Sequence, residues 1–146
     1  MSEMAPAHLA LVGREFPGGQ YTLEPWRAWL LADALGDDPG DTQPHPVMAW
    51  MAAVGGMGIT WDELFAWFDA TADDGPMFGE HQTTLHAPLQ SGVTYRVSGK
   101  VTSVDRKTGR RAGTFDIVGY ELCLYDGQEH VATCWNSLVL PRRRGA

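Results

Sequence analysis

The run GEHQTTLHAPLQSGVTYRV, residues 79 to 97, constrains this chain more than any other segment. A polar–apolar alternation reaches a His-Ala-Pro-Leu turn, breaks at Ser91-Gly92, and restarts as a second alternation. A period of two is the signature of a strand with one face on a core. The same period fills the rest of the second half: residues 80–86, 93–104, 113–125 and 129–140 alternate and are rich in Val, Thr, Tyr and Leu. Lys107, Thr108 and Gly109 are expected to form one hairpin loop, and Asp126-Gly127 signals a two-residue turn. Long consecutive hairpins imply an antiparallel meander.

The first half is helical. In EPWRAWLLADALG, Pro25 suits a first turn, Thr22 can cap, and Glu24 suits the positive helix end. Trp26, Trp29, Leu30 and Ala34 recur at helical spacing, and Gly36 stops the run. Asp37, Asp38, Pro39, Gly40 and Asp41 make a loop. HPVMAWMAAVGGMG, residues 45 to 58, is then apolar almost all round, and a helix with no polar face is a buried helix. Gly55, Gly56 and Gly58 weaken its far end. No strand precedes them, so they are read as close packing or a kink rather than a phosphate cradle. WDELFAWFDA follows, with Trp61, Leu64, Phe65 and Phe68 on one side and Thr60 with Glu63 completing a capping box. Helices first and a long sheet after is an α+β arrangement: an antiparallel sheet around a buried helix.

At 146 residues the chain is one domain, and 44% apolar residues with six Trp and five Phe suit a globular core. Residues 1–12 read as a leading segment without structure, 13–141 as the domain and 142–146 as a basic tail. A net charge of −7 argues against a nucleic-acid partner. Neither a spanning apolar run nor a signal peptide is present, so the expectation is a cytoplasmic protein with no membrane partner. Cys123 and Cys134 lie in neighbouring strands; a cross-strand contact is open to them, and two buried free thiols are the expected state. The triplet Arg142, Arg143 and Arg144 is read as a solvated end, with contact to the phosphates of a coenzyme A or carrier arm as the sharper alternative. No metal cluster and no Gly-x-Ser-x-Gly elbow is found.

The corner His86-Ala87-Pro88-Leu89-Gln90-Ser91-Gly92, set between a strand and a long strand and following a buried helix, resembles that of MaoC-like dehydratases, in the form of their amino-terminal, fatty-acid-synthase-type halves. The resemblance covers residues 13 to 141. It implies a hotdog fold and an acyl-thioester substrate carried on coenzyme A or an acyl carrier, with no other cofactor. It also implies an Asp and a His in the loop before the central helix, which activate water or take the proton beside the thioester carbonyl. Asp37 in ALGDDPGD stands where the family has its Asp, but five residues on stands Thr42 and not His.

His45, between Pro44 and Pro46 at the helix start, is the nearby substitute. The positive helix end there favours the neutral imidazole that a general base requires. The competing reading makes His45 a packed helix-start residue and Asp37 a plain turn residue. His81 and His86 are five apart and fall on opposite faces of one strand. His86 is expected to be structural, His81 and His130 to lie at surface or edge, and Glu80 to be at most a lone carboxylate. Met48, Trp50, Met51 and Met57 belong mostly to the core, yet suit an adaptable acyl channel and are the substrate-binding candidates.

A lone hotdog exposes a sheet edge, which pairing with a second hotdog chain removes. The expectation is therefore one subunit of a hydratase/dehydratase, in a homodimer or hetero-oligomer, that binds the acyl group while a partner supplies the Asp/His pair. The alternatives are a homodimeric dehydratase or thioesterase with a non-standard site, and a non-catalytic acyl-binding scaffold.

Overall fold

The computed structural model describes residues 10–40 and 43–142. Its elements run β1 (Gly19–Thr22), α1 (Pro25–Leu35), α2 (Val47–Gly55), α3 (Trp61–Trp67), a 3-10 turn (Ala72–Asp74), β2 (Met77–Leu85), β3 (Thr94–Gly109), β4 (Gly113–Asp126) and β5 (Glu129–Pro141). The strands form one five-stranded sheet in the order β1-β3-β4-β5-β2, antiparallel at every pairing. This is the expected α+β hotdog architecture.

The helix without a polar face is at its centre. α2 touches all five strands, and Met48, Ala49, Ala52 and Ala53 are wholly enclosed. Its glycines are a packing device. A Cβ on Gly55 would stand 2.5 Å from the Tyr21 ring of β1, and one on Gly56 would fall inside the Val97 side chain of β3. Val97, Val101, Val118, Tyr120, Leu122, Leu124, Ala132, Leu138 and Leu140 close the core from the sheet side. α3 begins as its capping box dictates, with the Glu63 N–H donating to Thr60 Oγ1 at 3.1 Å and the Thr60 N–H to Glu63 Oε1 at 3.2 Å.

Four expectations change. Thr22 is no cap: it ends β1, paired with Thr94, and α1 starts from Glu24 without a side-chain cap. α1 buries no residue outright; Ala28 and Leu31 pack on the core while Trp26, Trp29 and Leu30 stay about half exposed. Lys107, Thr108 and Gly109 are not a loop, because β3 runs on to a Gly109–Gly113 pair and the turn is residues 110–112. At the next hairpin Asp126 pairs with Glu129, which leaves Gly127, at φ 58°, and Gln128 as the turn.

Arg142 is part of the domain rather than of a solvated tail. Asp116 is fully buried, and Arg142 Nε donates to its Oδ2 at 2.8 Å while Arg106 Nε donates to its Oδ1 at 2.8 Å. Arg142 also donates to the carbonyls of Phe68 and Asp69, so it ties the end of α3 to the sheet. Burial pushes the Asp116 carboxyl up, but the two guanidinium groups outweigh it and hold it below the usual carboxylate range. Residues 143–146 lie outside the described residues. Cys123 faces away from α2 and Cys134 toward it, so the paired strands hold them on opposite faces as free thiols.

Candidate functional site

β2 is one of the two edge strands of the sheet, β1 being the other, and among the described strands it pairs with β5 alone. A bulge in it decides what faces the central helix. Phe78 pairs with Leu138 and His81 with Asn136, so β2 spends one more residue than β5 between these pairs. Strict alternation would put Phe78 and His81 on opposite faces; the extra residue puts both on the α2 face. Gly79 fits here because a Cβ would come within 2.6 Å of Ser137 Oγ, and that hydroxyl accepts the Glu80 N–H at 2.8 Å.

Trp50 of α2 meets this face. Its ring lies edge-on to Phe78 at 5.8 Å and to His81 at 6.1 Å, and Trp61 is edge-on to Phe78 at 5.6 Å. Phe78 remains 52% exposed, so the three rings form an aromatic cluster that is partly exposed at the sheet edge. A polar chain runs beside it. Asn136 is fully buried, and its Oδ1 lies 3.1 Å from Trp50 Nε1 and 2.6 Å from His81 Nδ1. Asn136 Nδ2 donates to the Cys134 carbonyl at 3.2 Å, and His81 Nε2 lies 2.6 Å from Thr83 Oγ1. Tyr120, the partner of Asn136 on β4, has a buried hydroxyl with no hydrogen-bond partner among the described residues; burial raises its pKa, so it stays a neutral phenol.

The residues expected to carry chemistry are placed differently. Asp37 is exposed just past α1, and its N–H closes the helix end on the Ala32 carbonyl at 2.9 Å. His45 Nδ1 accepts the Val47 N–H at 3.0 Å, which organises the first turn of α2. No hydrogen bond or ion pair joins Asp37 to His45 among the described residues, and Asp41 and Thr42 lie outside them. Met48 and Met57 point into the core, at 0% and 2% exposure. Met51 is half-buried at the core margin, and Trp50 is the candidate in ring contact with Phe78.

His81 and His86 do lie on opposite faces. His86 and His130 lie 4.4 Å apart with their rings tilted by 47° on the outer face, and share Thr133 Oγ1, at 3.1 and 3.0 Å. The sequence reading missed Phe78, Thr83 and Asn136. Thr83 stands two residues from His81, and Asn136 two from Cys134, which is same-face spacing on a strand. That signal was available; the bulge that aligns Phe78 with them was not. Among the described residues no three or more His, Cys, Asp or Glu side chains could hold a metal ion together. No described helix is long and apolar enough to cross a membrane.

No family model and no curated protein matches the chain. Solved structures do. The ChsH1–ChsH2 complex from Mycobacterium tuberculosis is 15% identical, with 95% of this chain and 89% of that one covered at a TM-score of 0.72. A MaoC-like dehydratase from Phytophthora capsici is 16% identical over 97% of this chain and 52% of its own, at 0.68. The HadBC complex, a 3R-hydroxyacyl-ACP dehydratase of Mycobacterium tuberculosis, is 15% identical over 88% and 96%, at 0.64. Identity this low establishes fold alone, and the fold this chain shares with them is the hotdog.

Proposed function

We propose that this chain is a cytoplasmic subunit of an acyl-thioester hydratase or dehydratase, binding the acyl group while a second hotdog chain supplies the Asp/His pair. The observation that carries the reading is the partly exposed aromatic cluster of Trp50, Phe78 and Trp61 at the β2 edge. Three rings set edge to face offer an acyl chain an apolar surface to lie on. Met77, Phe78 and Leu85 along β2 are exposed, as is the outer rim of its ladder. A partner strand paired there would cover that rim and bring its own residues to the aromatic cluster. Two of the structural relatives are complexes, ChsH1–ChsH2 and HadBC, and the second is a dehydratase; this supports the reading without extending to this chain's substrate. In the assembly, the partner's pair would add water to, or remove it from, an acyl group seated on this chain, with coenzyme A or a carrier arm holding the thioester.

The test is formation of the 3-hydroxyacyl thioester from an enoyl thioester, read by mass, with the chain alone and with a hotdog partner bearing an intact Asp/His pair. A general acid–base pair is worth about 10²- to 10⁴-fold per group, so the partner's contribution is unmistakable. Activity should require the partner and survive Asp37→Ala and His45→Ala. Strong hydration by the chain alone, abolished by either substitution, overturns the proposal.

A further inference from the structure

We infer that Thr83, His81 and Asn136 form a nucleophile, base and orienting group that move an acyl group from a thioester to water. This rests on the preceding reading in one respect, that the aromatic cluster at the β2 edge takes an acyl thioester.

The proton positions follow from donor chemistry. An indole N–H can only donate, so the Asn136 atom that Trp50 Nε1 faces at 3.1 Å is the carbonyl oxygen. The other end agrees, since Asn136 Nδ2 donates to the Cys134 carbonyl. An amide oxygen can only accept, so His81 Nδ1, 2.6 Å from the same oxygen, carries a proton. A neutral imidazole in that tautomer has its lone pair on Nε2. Thr83 Oγ1 is 2.6 Å from it and donates its proton there. Cys134 Sγ, at 3.7 Å from the same hydroxyl, is the farther and weaker acceptor. Cys134 is itself no nucleophile: it is fully buried, and burial pushes its thiol up. His81 is exposed and Thr83 half-buried, and by register both lie on the face of β2 that carries Phe78 and meets Trp50. A hydroxyl held on a base whose orientation a third group fixes is the arrangement that activates a weak oxygen nucleophile.

The atoms balance. Thr83 Oγ1 bonds to the thioester carbonyl carbon as its proton passes to His81 Nε2. The C–S bond breaks, and the departing sulfur takes that proton from Nε2. Water then adds to the Thr83 ester while its proton goes to Nε2; the bond to Oγ1 breaks and Oγ1 recovers the proton. Asn136 is a positioning residue, keeping Nδ1 protonated and Nε2 aimed at Thr83.

The experiment uses the folded chain with butyryl-coenzyme A and with S-butyryl-N-acetylcysteamine, which lacks the coenzyme. Free-thiol release is followed by colour and the acyl adduct by intact mass and peptide mapping. Thiol release, with a butyryl adduct on Thr83, is expected. Thr83→Val and His81→Ala should each lower the rate about 10²-fold or more, the pair together little further, and Thr83→Ser should retain it. Asn136→Ala should lower kcat with KM unchanged, and Asn136→Asp, which keeps an acceptor facing Nδ1, should restore most of it. Full release from Thr83→Val, or an adduct elsewhere, overturns the inference. A non-cleavable thioether analogue of butyryl-coenzyme A separates the two readings. Its binding with no thiol release from either substrate overturns the triad and leaves acyl binding standing. Acylation of Thr83 without binding of the analogue supports the triad and removes the coenzyme-borne substrate.

Discussion

Arg142, one residue beyond the last strand, should matter as much as a core residue. In Arg142→Ala the buried Asp116 loses one of the two donors to its Oδ2, the one at 2.8 Å, and the carbonyls of Phe68 and Asp69 lose the Arg142 donors. Breaking a buried ion pair outright costs about 3–5 kcal/mol. Arg106 still holds the carboxylate through Nε and a second nitrogen, at 2.8 and 3.0 Å, so that range is an upper bound. One charged hydrogen bond at about 1.5–3 kcal/mol, with the carbonyl bonds at the end of α3, brings the expected loss to about 2–4 kcal/mol. For a domain of this size that is a fall in Tm of about 5–15 °C. The pH dependence fixes the cause. Asp116 is held below the usual carboxylate range in the fold, so its stabilisation is complete above its unfolded pKa and is lost as pH falls through its folded value. The gap between wild type and Arg142→Ala should therefore be full at neutral pH and close in strong acid. Urea unfolding followed by circular dichroism at a series of pH values measures both. A variant within about 0.5 kcal/mol of wild type at neutral pH, the range of ordinary surface substitutions, would show that Arg106 alone satisfies Asp116 and that Arg142 is tail.

Gly56→Ala would push a methyl group into Val97 and should cost about 1–3 kcal/mol; unchanged urea unfolding would mean α2 can back away from β3 freely. Burial pushes both thiols up, Cys123 with exposure to spare and Cys134 with none, so Cys123 should react with a thiol reagent first and Cys134 only at the rate of unfolding. Equal rates in the native protein would place Cys134 outside the core.

What was legible in the sequence was local. The apolar circumference of residues 47–55 announced a buried helix, and Thr60 with Glu63 announced where α3 starts. The alternation from Thr94 onward announced three long strands. What was not legible depends on register. β1 is too short to show a period, and it exists because β3 offers it an edge. The continuation of β3 through Lys107 was hidden because the Lys, Thr and Gly that complete the strand are equally common in turns. Asp116 and Arg142 are 26 positions apart and Trp50 and Asn136 are 86 apart, so neither pair leaves a trace in local pattern. His81 is exposed on an edge strand, as its sequence suggested; what alternation without register could not show is the one extra residue in β2 that brings Phe78 onto the same face as His81 and Thr83.

The order of elements along the chain has a consequence for biogenesis. α2 leaves the ribosome before any of the long strands that enclose it, yet Met48, Ala49, Ala52 and Ala53 give it nothing to show water. Synthesis at about 5–20 residues per second puts β5 on the order of ten seconds behind it. During that interval an apolar helix and the half-exposed tryptophans of α1 are the accessible surface of the nascent chain. Holdase chaperones should thus capture this protein during translation, and release should coincide with the arrival of β5 and Arg142.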